Sequence, residues 1–396
     1  MGTVAGVGHS IRRNPSEAGR EAALLALERA GVDKADFLFV FATVGYNQQT
    51  LIDSIRKATS ETPLSGCSGE GIITQEAVVE TGFGVSVMAI STSELRFHNA
   101  SVRGIGRDCG IAGQQLALDI RKFAAPDSIA CFVFADGLSF NFDPFVSAFE
   151  KNIHGGRWLP LFGGLAADNW TLQKTFQYHN GDVFSDGISC ALMSGKGDVA
   201  WGVNHGCMPV GSELKITRCK GNVIYEVDGT PALDVLRDYL DEGWEKDWNK
   251  TSLNLCLGLR APEGLRKDYS EHIIRYMMKK ADREGSVTIQ SDVCEGDSIW
   301  IMRRDKELIT EGLKATAGSI NEKTRTKRPD FVLQFDCVGR GRVVFREQEK
   351  IEMIRAMQRK IGQDIPWAGF YTYGEIGPVK KKNVFHNFTA VVLAVS

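Results

Sequence analysis

Surplus charge, long apolar runs, paired cysteines and standard catalytic signatures are all missing from this sequence, and each absence removes a class of function. The 396 residues carry 47 Lys and Arg against 49 Asp and Glu, a formal net charge of −2. That balance offers no general attraction to a phosphate backbone or an anionic lipid surface, so composition supports neither a nucleic-acid nor a membrane partner. No stretch reaches the ~18 consecutive apolar residues needed to cross a bilayer. In the first thirty residues Arg12, Arg13 and Asn14 interrupt any hydrophobic run, which removes the basic-then-apolar pattern of a leader and points to the cytoplasm. Nine cysteines form an odd, scattered set with no CxxC pair and no Cys/His grouping at zinc spacing, so they read as reduced, small core residues rather than disulfides or a metal site. G-x-S-x-G, Walker A, H-E-x-x-H, C-x-x-C-H and a strand-borne G-x-G-x-x-G are all absent. The expectation is a chain that is not an enzyme and has no resident cofactor.

What is present is a well-mixed globular composition, 43% hydrophobic and 24% charged, and enough length for two or three units of ~150 residues. Asn14, Pro15, Glu17 and Gly31 punctuate an N-terminal helix as cap, first-turn proline, capping-box acid and stop. Phe37 to Phe41 is a short continuous apolar run that predicts a strand buried on both faces. The same order then recurs three times: a buried strand, a polar glycine turn, a helix, Pro-x-x-Gly and a closing strand. The strands begin at Phe37, Ala130 and Phe331, and the helices carry Leu51/Ile55/Ala58, Val146/Phe149/Ile153 and Ile354/Met357/Ile361 on their inner faces. From Pro63 to Val85, Pro160 to Ile188 and Pro366 to Thr389 the intervals are 22, 28 and 23 residues. The fold class that follows is α+β, repeated β-α-β-β units forming mixed sheets with helices packed outside, in two lobes. Between the second and third copies, residues 201–225 alternate as strands and hairpins, and Thr230-Pro231 opens a helix bearing Leu233, Leu236 and Leu240. The charged segment 241–250 reads as a surface connection pinned by Trp244 and Trp248, and the domain boundary is placed near residue 220.

Ligands of open α/β sheets bind at the carboxyl ends of the strands, so the polar residues of these glycine turns are the site candidates. They include Cys67, Ser68 and Glu70 after the first Pro-x-x-Gly, Asp136 at the end of the second buried strand, Asp168 after the second Pro-x-x-Gly, and Arg340 in the third turn, whose fork suits a carboxylate. The richest grouping is C-terminal. Tyr371, Tyr373 and Glu375 precede His386 and Asn387, and the interval of 11 from Glu375 to His386 allows a hairpin that brings them together. Phenols, carboxylate, imidazole and amide in one place suit a polar or zwitterionic small molecule, although the same groups also serve to cap turns and satisfy buried backbone. Cys67, between glycines, is the one nucleophile candidate, and a cysteine-dependent hydrolase or transferase is a reading it leaves open. His179, His205 and His386 are the histidines a haem would use, far apart in sequence.

Gly66-Cys67-Ser68-Gly69-Glu70, the segment 162–168, Phe335 to Arg340, and Gly369 to Pro378 with His386-Asn387-Phe388-Thr389 resemble the FIST family. The resemblance covers nearly the whole chain, as an N-terminal region over 1–220 and a C-terminal region over 221–396. It implies a sensory module of signal transduction that binds a small ligand such as an amino acid. It also implies a signalling partner: a histidine kinase of a two-component system, a chemotaxis receptor or a cyclic-di-GMP enzyme. Some members of the family are haem proteins that sense nitric oxide and regulate a histidine kinase, which makes a haem sensor the alternative.

Overall fold

The structure, a computed structural model, describes residues 2–80, 82–153, 158–240 and 244–396. Local chemistry sets its elements where the punctuation is clear. In the helix Pro15–Ala30 the Asn14 side chain accepts from the N–H groups of Ser16 and Glu17, and Gly31 closes the last turn in the left-handed region at φ 68°. The strand Phe37–Thr43 is buried along its whole length, as its apolar run predicts.

Three six-stranded mixed sheets share one design. In each repeat a strand, a helix, a second strand, a second helix, a third strand parallel to the second, an outgoing hairpin and a returning antiparallel strand follow in that order. Repeat one runs from Thr3–Ser10 to Val85–Thr92, repeat two from Leu95–Arg103 to Gly187–Gly195, and repeat three from Val199–Asn204 to Ala390–Val395. The expected β-α-β-β unit is the inner part of this repeat, and a leading strand and helix belong to it as well. The leading strands lie at sheet edges, and those of repeats two and three are half-buried, with no run of apolar residues to mark them in a pattern search.

The hairpin of each repeat leaves its own sheet. That of repeat one, Ile72–Thr74 with Val78–Val79, extends the sheet of repeat three beside Trp367–Thr372. That of repeat two, Gln177–His179 with Asp182–Phe184, extends repeat one beside Leu64–Gly69. That of repeat three, Glu375–Val379 with Lys382–His386, extends repeat two beside Leu161–Leu165. The exchange is cyclic, so no repeat completes its sheet alone and the three form one body. Its register pairs Glu375 with His386, as the hairpin reading expects.

The Pro-x-x-Gly motif has a backbone reason. The carbonyls of Pro63, Pro160 and Pro366 accept from the N–H of Leu38, Cys131 and Val332, each at 2.9 Å, and start the parallel pairing of second and third strands. Three residues later Gly66, Gly163 and Gly369 press against the carbonyls of Val40, Val133 and Gln334. A Cβ there would lie 1.7, 2.0 and 2.0 Å from those oxygens, so any side chain would force the strands apart. The inner faces of all three sheets bury a common apolar core. At its centre Phe41, Phe134 and Phe335, one from each repeat, form a triangle with ring centroids 5.3, 6.0 and 6.3 Å apart. Edge-to-face pairs of this kind add about 0.5–1.5 kcal/mol each beyond the area they bury. Helices cover the outer faces.

Residues 207–304 are inserted between the leading strand of repeat three and its first helix, Lys306–Lys323. They fold as a separate mixed-length antiparallel sheet with its own apolar core. The two lobes are therefore the three-repeat body and this module. Position 220 ends the strand Leu214–Lys220 inside the module, and the body is made of chain from both sides of it. Trp244, buried, meets Trp248 edge to face at 6.4 Å, while Asp241, Glu242 and Gly243 of the charged connection lie outside the described residues. Among the described residues no helix is long and apolar enough to cross a membrane.

Candidate functional site

Repeats two and three and the inserted module meet at a cleft of about 180 Å³. Its floor is built from two strand-end turns, Gly137-Leu138 of repeat two and Cys337-Val338-Gly339 of repeat three; the equivalent turn of repeat one, at Gly45, packs on Phe83 elsewhere. Both glycines are required by close contact. A Cβ on Gly137 would lie 2.0 Å from the Ala166 carbonyl and 2.9 Å from the Tyr373 ring, and one on Gly339 would lie 2.5 Å from the Phe388 ring.

Two carboxylates shape the walls. Asp136 accepts from the N–H of Leu138 (2.9 Å) and Ser139 (3.1 Å) through one oxygen and from Thr175 Oγ1 (2.7 Å) through the other, which fixes the Gly137-Leu138 turn. Asp168 takes five donors: Thr171 Oγ1, the N–H groups of Leu172, Gln173 and Lys174, and the Tyr373 hydroxyl at 2.7 Å. Burial pushes its carboxyl up, but the bonds from Thr171, Tyr373 and the loop N–H groups outweigh this and hold it below the usual range. The Tyr373 oxygen in turn accepts from Trp170 N–H at 2.8 Å. This network holds Asn169, Trp170 and Leu172 in the left-handed region, at φ 60°, 59° and 51°, a conformation that costs a non-glycine residue about 1–3 kcal/mol. The strain places Trp170 and Leu172 on the cleft. The longer interval of repeat two, 28 residues against 22 and 23, accommodates this loop.

Across the cleft Asn387 joins body to module, with Oδ1 accepting from Tyr276 N–H (3.0 Å) and Nδ2 donating to Gln290 Oε1 (2.6 Å). Phe388, also left-handed at φ 53°, lies 6.0 Å from the Tyr276 ring. The lining is mainly apolar and aromatic with a few oriented polar groups, the usual constitution of a small-molecule site.

Of the residues singled out from sequence, Tyr373 and Asn387 thus line the cleft, and Asp136 and Asp168 position its walls. The others lie elsewhere. Arg340 is fully buried and does not line the cleft; Nε donates to Asp336 (2.9 Å) and Nη1 to the carbonyls of Asn204 and His205, anchoring the chain that enters the module, while Nη2 has no partner among the described residues. Glu375 is buried beneath the cleft, bonded to Thr372 and Thr389 N–H, and burial raises its carboxyl far above the usual range. Cys67 lies in the central apolar core, its thiol pushed well up by burial, whereas an activated nucleophile needs the opposite shift. Ser68 ties repeat one to repeat two, donating to the Ala167 carbonyl and accepting from Phe176 N–H.

Glu70 and Tyr371 belong to a second buried nest, between repeats one and three, which touches the cleft's loop at Asn169, whose Oδ1 accepts from Arg342 at 3.4 Å. Glu70 pairs with Arg342 at 2.6 Å, and Glu80 pairs with Lys350 at 2.7 Å with both side chains fully buried. Burial is the main cause that lifts Glu70 to about 8, with Arg342 opposing and Glu80 adding.

The histidines do not gather. His386 is fully buried, with Nε2 on the Gly377 carbonyl and Nδ1 3.2 Å from the Tyr269 hydroxyl, and burial lowers its pKa to about 3. His205 uses Nδ1 to accept from Cys207 N–H and Nε2 to bond Ser270. His179 lies on the strand Gln177–His179, paired with Ser65 on one side and Asp182 on the other. None lines the cleft, so these residues do not fit a haem there. Among the described residues no three His, Cys, Asp or Glu side chains are placed to hold a metal ion.

Trp170, Leu172, Tyr276, Lys279 and Gln290 line the cleft without having been marked in sequence. The long interval in repeat two was the available signal for the first pair; the module residues carried none.

The chain matches a family model described as the FIST N domain over residues 36–230 and one described as the FIST C domain over 232–378. An uncharacterized protein of Mycobacterium tuberculosis (strain ATCC 25618 / H37Rv) is 25% identical over 392 residues, covering 97% of both chains. An uncharacterized protein of Methanocaldococcus jannaschii is 26% identical over 370 residues, covering 84% of this chain and 68% of that one. Among solved structures, a chorismatase aligns over 99% of this chain and 98% of its own at 8% identity and TM-score 0.38. A cyanuric acid hydrolase aligns over 100% of both at 9% and 0.36. FIST domains are sensory domains of signal transduction. The chain belongs to the FIST family, with its N-terminal domain followed by its C-terminal domain.

Proposed function

We propose that this protein is a cytoplasmic sensor that binds a small molecule in the cleft between repeats two and three and the inserted module, and that occupancy regulates a signalling protein. One observation carries the reading: two of the three strand-end turns converge with a strained, network-held loop and the module on one small cavity. A ligand there touches both lobes at once. It favours the arrangement that closes them, and a sensor works only through such unequal binding to two states. The partner class the reading calls for is a histidine kinase, a chemotaxis receptor or a cyclic-di-GMP enzyme. No catalytic residue is assigned.

The test is a thermal-shift screen of small metabolites on the parent and on Leu138→Trp, which fills the cleft. A true ligand at a hundred times its dissociation constant adds about 2.7 kcal/mol, raising the parent midpoint and leaving the variant unchanged. Compounds that shift both proteins equally bind elsewhere and sink the cleft assignment.

A further inference from the structure

Resting on the cleft reading above, we propose that the ligand is a small aromatic monocarboxylate, with its ring held between the aromatic pairs Trp170/Tyr373 and Tyr276/Phe388 and its carboxylate drawn to Lys279.

Size comes first. A dry cavity of about 150 Å³ is known to hold benzene, so about 180 Å³ takes one ring and a short substituent. The walls suit a ring. Trp170 and Tyr373 stand 5.6 Å apart at 47° on the body side, and Tyr276 and Phe388 stand 6.0 Å apart at 60° against the module, each pair lining the cavity. Rings inserted among rings gain through offset or edge contacts in addition to the area buried.

Charge decides the rest. The cleft is lined by one ionisable cation, Lys279, and by no Asp or Glu among the described residues. Lys279 is exposed and has no ion-pair partner among them, whereas its neighbour Lys280 is committed to Asp282 at 2.7 Å. Behind the wall Arg304 lies 5.3 Å over the Phe388 ring, donating to the Gly339 and Leu253 carbonyls. Arg304 behind one wall is offset by Asp168 behind the other, so among the described residues Lys279 is the one charge that the lining itself presents; it favours an anion and leaves an ammonium group without a lining partner. The acidic groups that shape the walls keep their charge but turn their oxygens to the protein, Asp168 on five donors and Asp136 on its turn, so neither offers an acceptor to a ligand ammonium. The site therefore selects an acid without an α-amino group, which narrows the expectation of an amino-acid ligand.

Isothermal titration with benzoate, 3-phenylpropionate, benzamide and L-phenylalanine tests this, using the full chain, Lys279→Gln and Leu138→Trp. The expected result is that an aromatic carboxylate binds the parent, binds Lys279→Gln about tenfold more weakly, and does not bind Leu138→Trp, while benzamide is indifferent to Lys279→Gln. If benzamide or L-phenylalanine binds the parent as tightly as the carboxylates and is lost in Leu138→Trp, the charge assignment is overturned and the cleft reading stands. If no probe binds the parent, the aromatic carboxylate is overturned and the cleft reading is decided by the metabolite screen; if binding survives in Leu138→Trp, both are overturned.

Discussion

Two junctions between repeats begin with the same backbone and end in opposite ways. Where repeat one meets repeat three, Glu70 N–H donates to the Tyr371 carbonyl at 2.9 Å and Tyr371 N–H to the Gly71 carbonyl at 3.1 Å. Where repeat three meets repeat two, Tyr373 N–H donates to the Leu165 carbonyl at 3.1 Å and Leu165 N–H to the Gly374 carbonyl at 2.7 Å. Glu70 and Tyr373 are therefore equivalent positions. At the first, the Glu70 carboxyl, which burial keeps protonated to about pH 8, accepts from Arg342 beside the buried Glu80–Lys350 pair, and that ion pair locks the junction. At the second, a phenol holds the loop 169–174 open over an aromatic cleft. The shared skeleton makes a position for function at every junction, and the side chain placed there decides whether it becomes a lock or a site.

The sharpest way to break this contrast is at the lock. Lys350→Met leaves Glu80 buried without its cation and should cost about 3–5 kcal/mol in urea unfolding, with the double variant Lys350→Met/Glu80→Gln recovering most of it. A single variant as stable as the parent shows that the pair is not a lock. Next in size is pH. Glu70 keeps its proton to about 8 in the folded chain and releases it near 4.5 when unfolded, so its contribution is full in acid and lost as pH rises towards 8. Stability of Glu70→Gln relative to the parent should therefore increase between pH 5 and 8, by an amount on the order of a few kcal/mol; a flat difference refutes the shift. His386 acts in the other direction. Folded, it stays neutral down to about pH 3 against an ordinary 6.5, so stability falls as pH drops below 6.5, and His386→Gln should lessen that acid loss in the same titration.

Smaller still is the effect at the open junction. Tyr373→Phe removes the hydroxyl shared by Asp168 and Trp170, at a cost of about 1–3 kcal/mol. Amide exchange should quicken most in 169–174 and less on the Glu70 side, which meets this loop at Asn169. Exchange that quickens equally in both places would mean that the two junctions open as one.

How much of this was legible in the sequence varied with the range of the interaction. The capped helix at Pro15, the buried strand at Phe37 and the three Pro-x-x-Gly units follow from neighbouring residues, and they stand in the structure as read. The half-buried leading strands were not joined to the repeats because an edge strand needs no continuous apolar run. At the site, Tyr373, Asn387, Asp136 and Asp168 were found through the chemistry of strand-end turns. Arg340, His386 and Glu375 share those turns, yet are fully buried and bonded to Asp336, Gly377 and Thr389.

The sequence by itself determined the repeat, its glycine contacts and the polar residues at each turn, since these depend on local dihedral limits and on periodic burial. Only the tertiary structure decided which turns meet. The cyclic exchange of hairpins carries Tyr373 to repeat two and Glu70 to repeat three, and the module inserted after Asn204 brings Tyr276, Lys279 and Gln290 to the cleft. Those contacts join residues 97 or more positions apart, and no local preference encodes them. They follow from the requirement that every sheet edge find a partner and every apolar face a cover.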